Sequence, residues 1–529
     1  MTDTRVSVLV VGAGLAGLAA ATYLGLHGVR TLLVERHRDL SNQPKARGQF
    51  PSTMEALGVA GLADEFRAAT DPGGLSIYIA ASVSGPVFTE ILGMDLPDVS
   101  QLSTGGWADV SQERAERILA RRARELGAEL RFGTTVESLS QDDTEVTVVL
   151  RDLATGELST VLADYLVAAD GHLSPIRTAL GIGTHGRGAL GESAGTLFDA
   201  DLSSVVTTRT ALYNLQNPDL PGGGGAVVTT DQPGRYVLNT GLENGALPSP
   251  QRWVELIRIA TGMPGLAPRL VPSADRIFQV SHRIADRFSD GRVFLVGDAG
   301  KVMPPTGGAG GNVAILDSFH LAWKLAMVVR GEAGPGLLAS HDPERRPYAD
   351  AIAGQQYAAY VVRHAPQRRD GTEDAPLEPV STVFFGYRNL SGAVALEPDD
   401  DGAQWENPEQ PTGRPGSRAP HVRLRGDGAT LSTTDKFGLG FTLLAGADGQ
   451  DWLAVLEKVA ARLGIRCGGY VIDEEADIDG AFGARYGIGA AGATLVRPDG
   501  VIAWRATGSG DADQLESALR AILDRPRLD

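Results

Sequence analysis

The chain has 529 residues, 43% hydrophobic and 21% charged, which excludes disorder as its main state and leaves room for about three to four domains. A formal charge of −17 disfavours nucleic acid and anionic membrane surfaces as partners. The single cysteine, Cys467, rules out an internal disulfide or a dithiol pair and suits a reducing cytoplasm.

Residues 6–29 carry no charged side chain and are long enough to imitate a membrane span or a signal peptide. Their interior points elsewhere. A β-branched run is followed by Gly12, Gly14 and Gly17, then by small residues at helical spacing, so the segment reads as buried strand, turn and buried helix. A second strand, Thr31 to Val34, ends at Glu35 beside Arg36. In this βαβ setting GxGxxG gains force, because the first glycine makes the turn, the second admits a pyrophosphate and the third packs helix on strand. Glu35 then stands where a carboxylate accepts from ribose hydroxyls. Residues 112–126 follow as an amphipathic helix opened by Gln112.

Further along, YLVAADG ends a strand at Asp170-Gly171, with Ser174 and Arg177 close behind. From about 192 to 280 alternating runs such as TLFDADL and RYVLNTGL, with the glycine block 222–225, read as an inserted sheet domain. GRVFLVGDAG returns to the first domain and brings Asp298 to a strand end. The loop from Pro304 to Asn312, including Pro305, Gly308 and Gly311, offers backbone N–H groups at the start of a helix of about 312–330, and a second helix covers 343–363. A positive helix end there favours an anionic group. Residues 364–420 are rich in Pro, Asp, Glu and Gly and read as a linker or a wrapped connection. The remaining unit alternates strands and helices. Its own GxGxxG, Gly487 to Gly492, precedes a strand rather than a helix and reads as a loop.

The fingerprint at Gly12, the Asp170-Gly171 strand end and the segment GDAGKVMPPTGGAGGNVAILDSFHLAWKLA together resemble the flavoprotein aromatic hydroxylases of the p-hydroxybenzoate hydroxylase fold. The last segment is especially similar to the anthracycline and aromatic polyketide hydroxylases, and the resemblance extends through the C-terminal unit. It implies an α/β protein with a Rossmann-like FAD-binding domain (1–190 and 281–363), an inserted mixed-sheet substrate domain (191–280), a linker (364–420) and a thioredoxin-like domain (421–529). It also implies noncovalent FAD, NAD(P)H docking transiently without its own Rossmann unit, and O₂. NAD(P)H reduces the flavin, and a flavin hydroperoxide at C4a transfers one oxygen to a phenol-activated ring.

The expected cofactor contacts are Gly12, Gly14, Gly17, Glu35, Arg36, Gln112, Asp170, Asp298, Pro305, Gly308, Gly311 and Asn312. The usual Pro-Arg stretch appears as PKARGQ, which leaves open whether Lys45 or Arg47 touches the cofactor, and Lys301 adds a cation near the flavin edge. No metal site is expected. Tyr213 and Arg363 match positions of the anthracycline hydroxylases and are the candidates for bonding a phenolate and supplying a positive field. The expected substrate is a polycyclic phenol, handled by a monomer or homodimer. A catabolic hydroxylase of a small phenol shares every cofactor motif. A redox-silent flavoprotein would lack substrate-stimulated NAD(P)H oxidation, and an interaction protein built on the C-terminal unit would not need residues 1–350.

Overall fold

The computed structural model describes residues 4–41, 46–70, 74–91, 97–272, 274–372, 377–426, 428, 430–509 and 512–526. The N-terminal strand Thr4–Val11 is flanked in parallel by Thr31–Glu35 and Leu158–Ala168, and these by Glu129–Phe132 and Val293–Leu295. The helix Leu15–Leu26 is buried on nearly every side because its Ala and Gly residues let neighbours approach closely. It packs against the long helix Ala309–Val329 and the helix Gln112–Glu125. The strand ends that carry Gly12, Glu35 and Asp170 lie at the carboxyl edge of this parallel sheet, where open α/β sheets bind ligands. Ala309–Val329 is long and apolar enough to cross a membrane, yet 78% of its apolar window is buried inside the fold.

The second sheet has nine strands and is mixed. Thr184–Asp199 pairs with Arg276–Ala285 and Arg235–Gly241, and the order continues through Gly224–Thr229 and Ala211–Gln216. It then takes in Ser76–Ala80, parallel to Ala211–Gln216, and Val87–Ile91. The sheet therefore draws strands from outside 191–280, because an unpaired edge at Ala211–Gln216 is completed by a segment more than a hundred residues upstream. One face packs on the helix Pro250–Thr261 around Trp253, and the other faces the first domain.

Residues from 377 to 420 wrap the body. The Ala395 amide donates to the Ala503 carbonyl (2.8 Å), Arg418 Nε donates to Glu55 (3.0 Å), and Arg388 is buried against Asp400. The C-terminal unit is thioredoxin-like. Phe441–Ala445 runs parallel to Cys467–Val471 and antiparallel to Ala493–Val496, which pairs with Ile502–Ala506, and the helices Asp451–Leu463 and Ala512–Ile522 complete it. A largely buried ionic network joins this unit to the first domain. Arg497 donates to both oxygens of Glu344 (2.6 and 3.1 Å) and to Asp499, while Lys324 donates to Glu344 (2.6 Å) and His320 lies 2.8 Å from Asp499.

Candidate functional site

A cleft of about 2260 Å³ runs from the glycine turn, past Glu35, Asp170, Asp298 and the loop 302–311, to the inner face of the second sheet. That is larger than the roughly 300–1,000 Å³ of a single small-molecule pocket. The glycine turn itself divides by role. A side chain on Gly12, at φ +107°, would collide with the Ala169 carbonyl, and one on Gly17 would collide with the Gly12 carbonyl. Gly14 has nothing within 4 Å of where its Cβ would stand, so its backbone is open to the cleft. That open backbone, at the start of a helix and facing a strand-end carboxylate, is the shape a pyrophosphate needs.

Glu35 locks the turn it faces. Its Oε2 accepts from the Ala13 amide (2.8 Å) and its Oε1 from the His37 amide (2.8 Å). The His37 ring Nδ1 also lies 2.6 Å from Oε1, so of a carboxylate's roughly four acceptor sites the capacity that remains is on Oε2, for a ribose hydroxyl. Arg36 is exposed on the cleft wall. Asp170 accepts from Ser174 Oγ (2.6 Å) and from the Ile176 amide (3.0 Å), and burial pushes its carboxyl above the usual range. Arg177 donates to the Ala299 carbonyl (2.8 Å), tying this strand end to the one bearing Asp298. Asp298 stands exposed on the cleft wall in the short turn Gly297–Ala299.

The long helix begins at Ala309 with Gly308 as its cap at φ +68°, and Pro305, Gly308 and Gly311 line the cleft. The first amides of a helix lack intrahelical acceptors, so this loop presents donors to the cleft. Asn312 lies outside the main cleft. Its Oδ1 accepts from the Phe50 amide (2.8 Å) and its Nδ2 donates to the carbonyls of Gly48 (3.1 Å) and Gly308 (3.0 Å), so it staples the helix start to the strand Arg47–Gln49. Gln112 lines the cleft and brackets Ala46, donating its amide to the Ala46 carbonyl (2.9 Å) and accepting from the Ala46 amide (3.3 Å). Arg47 also borders the cleft, but its guanidinium donates to Asp109 (2.7 Å) and Asp231 (2.8 Å), bridging the first domain to the second sheet. Lys45 lies outside the described residues.

Two expectations change. Tyr213 does not face the cleft: it is buried, stacked on Tyr78 with ring centroids 4.7 Å apart, and packed into the core under the helix Pro250–Thr261. Side chains alternate along a strand, so its neighbours Leu212 and Asn214 line the cleft instead. Burial pushes the Tyr213 hydroxyl up to about 12, which suits a packing residue rather than a proton donor to substrate. Lys301 is not a cleft residue either; its ammonium turns inward onto Asp317. Arg363 is in the last turn of the helix His341–His364, and its side chain lies outside the described residues.

Sequence reasoning missed the polar groups of the sheet wall, Asn214, Asn239 and Glu192, and it missed Asp317. Strict alternation around Tyr213 contained the first signal. A lone carboxylate inside the apolar run NVAILDSFHLAWKLA contained the second, since a buried acid needs a partner.

Comparison with known proteins gives this arrangement its class. The FAD binding domain family matches residues 5–356, and the C-terminal domain of aromatic-ring hydroxylases matches residues 412–526. The chain belongs to the FAD-dependent aromatic-ring hydroxylases: it is a flavin monooxygenase, with NAD(P)H as the family's cosubstrate. It is 43% identical to aklavinone 12-hydroxylase RdmE of Streptomyces purpurascens, over 99% of this chain and all of that one. It is 37% identical to 4-methyl-5-nitrocatechol 5-monooxygenase of a Burkholderia species, over 99% of this chain and 98% of that protein. A crystal structure of aklavinone-11 hydroxylase with FAD and aklavinone superposes with a TM-score of 0.92 at 42% identity, covering 99% of this chain and all of that one.

Proposed function

We propose that this monooxygenase hydroxylates a polycyclic, polyketide-like phenol. The observation that carries the reading is the extent of the cleft, which continues beyond the glycine turn and the Asp298 loop onto an apolar sheet face lined by Ile77, Ile79, Leu212, Val228 and Phe278. A flat hydrophobic wall with few polar groups suits a fused-ring ligand. The 43% identity to an aklavinone hydroxylase supports the same class.

The residues that would hold FAD are Gly12 and Gly14 with the first helix at the pyrophosphate, Glu35 at the ribose, Asp298 at the ribityl chain, and the amides of 308–311 at the flavin ring. When bound, FAD supplies electron transfer from NAD(P)H and oxygen activation. The protein's own contribution is to orient and to dry. Asn214 and Asn239 offer carboxamides to ring oxygens, and Phe50 and Trp107, 6.0 Å apart with Phe384 behind them, shield one end from water.

The test is NAD(P)H oxidation by the FAD-loaded enzyme against a panel of phenols. Multi-ring phenols are expected to accelerate oxidation with coupled hydroxylation, while p-hydroxybenzoate does little or gives only hydrogen peroxide. The likeness to a nitrocatechol monooxygenase favours a second reading, a single-ring phenol. Well-coupled turnover of single-ring substrates with no response to fused rings would establish it over the first.

A further inference from the structure

Lys301, Asp317 and Arg345 meet in the interior directly behind the cleft wall, with side chains 2%, 0% and 3% exposed. Asp317 lies on the long helix that starts at the cleft, and Arg345 on the helix behind it. Asp317 Oδ2 accepts from Lys301 and from the Gly297 amide (3.0 Å), and Oδ1 accepts from Arg345 Nε (3.0 Å). Two cations thus share one carboxylate, and Nη2 of Arg345 is buried with no hydrogen-bond partner among the described residues, its guanidinium lying over the Tyr348 ring at 4.7 Å. The adjoining network is balanced, with Lys324 and Arg497 facing Glu344 and Asp499. The excess positive charge therefore belongs to the cluster at Lys301.

Its position matters. Gly297, which Asp317 anchors, immediately precedes Asp298, and Val302 and Met303, which immediately follow Lys301, both line the cleft. Asp298, an acid on the cleft side that also acts on Lys301, is exposed there and is common to every variant compared below. A charge in a dry interior acts over a longer range than one in water. Reduced flavin carries more negative charge than oxidised flavin, so a fixed cation behind the wall favours the reduced form.

We propose that the Lys301–Asp317–Arg345 cluster is a built-in electrostatic bias, a net positive charge that raises the reduction potential of the bound flavin while Asp317 positions the Asp298 turn. Burial pulls the Lys301 ammonium below its ordinary range, opposed by Asp317, and Asp317 stays below the usual carboxylate range because Lys301 and Arg345 outweigh its own burial. The proposal rests on FAD occupying this cleft, and the experiment separates the two.

Lys301→Met is the central variant, because Asp317 keeps Arg345 and Gly297 as partners and the cluster becomes a neutral pair. With FAD bound, the ratio of reduced to oxidised flavin affinity is expected to fall about tenfold. For a two-electron couple that is a drop of about 30 mV, read by equilibration with reference dyes. Lys301→Arg retains the charge and is expected to keep the parent potential. Arg345→Met also neutralises the cluster and is expected to lower the potential in the same direction. An unchanged potential in flavin-loaded Lys301→Met overturns the proposal. So does failure of both neutralising variants to hold FAD, which would make the cluster a brace and nothing more. A parent enzyme that bound no FAD would instead break the cofactor assignment itself.

Discussion

Two stretches of this chain spell the same glycine pattern, Gly12 to Gly17 and Gly487 to Gly492, and use it in opposite ways. In the first, the outer glycines fit the protein to itself and the middle one, Gly14, is left facing open space. In the second, all three positions are filled by the protein. A side chain on Gly487 would run into Arg505 and Thr412, one on Gly489 would come within 3.1 Å of the Thr507 carbonyl, and one on Gly492 within 2.7 Å of the Ala506 carbonyl. The strand Ala493–Val496 follows where the first motif has a helix. Glycine spacing thus records close approach of a backbone to something. Whether that something is a ligand or another turn of the chain depends on what comes next.

The comparison breaks most sharply at Gly14. Gly14→Val is expected to fold with at most about 1 kcal/mol lost at the helix cap, since nothing surrounds that position, and to bind FAD about 100-fold more weakly, or about 2.7 kcal/mol. Titration of apoprotein with FAD checks this; tight binding by the variant would mean that the pyrophosphate does not approach there. Asp298→Ala comes next. Loss of one charge-assisted hydrogen bond of about 1.5–3 kcal/mol should weaken FAD retention roughly 10- to 150-fold, and more than Lys301→Ala does.

Gly487→Ala probes the other motif. At φ +60° and against Arg505 it should cost more than about 1 kcal/mol of stability, seen as a lower urea midpoint, with FAD affinity unchanged. A selective loss of flavin would give the second motif a binding role after all. The smallest effect is expected at Cys467. Burial pushes its thiol up to about 12, so it stays protonated at neutral pH and reacts slowly with iodoacetamide. Cys467→Ser should turn over like the parent, and loss of activity in a flavin-loaded variant would revive a redox role for the C-terminal unit.

The same contrast explains what could be read from the residues alone. The Gly12 turn, Glu35 and the Asp170 strand end were legible because strand, turn and helix are local, and their spacing fixes where the cleft opens. Tyr213 was not, because the phase of a strand relative to a cavity depends on what packs on its other side, here Trp253 and its neighbours from a helix forty residues later. Lys301 failed for a related reason. Its direction is set by Asp317, sixteen residues on, and by Arg345 beyond that. The strands Ser76–Ala80 and Val87–Ile91 joined a sheet that alternation alone confined to later residues. Local chemistry was readable, and facing was not.

The Arg497 bridge has a consequence for how this protein can be cut or recombined. Removing the C-terminal unit would strip Glu344 of its guanidinium partner and expose Lys324, His320 and Trp323 on the helix that runs to the cleft. Losing one member of a buried ion pair typically costs about 3–5 kcal/mol. The thioredoxin-like unit is therefore not a module that domain shuffling could discard or exchange freely. A replacement would need an arginine and an aspartate at the same turn, so the two parts of the chain are bound to change together.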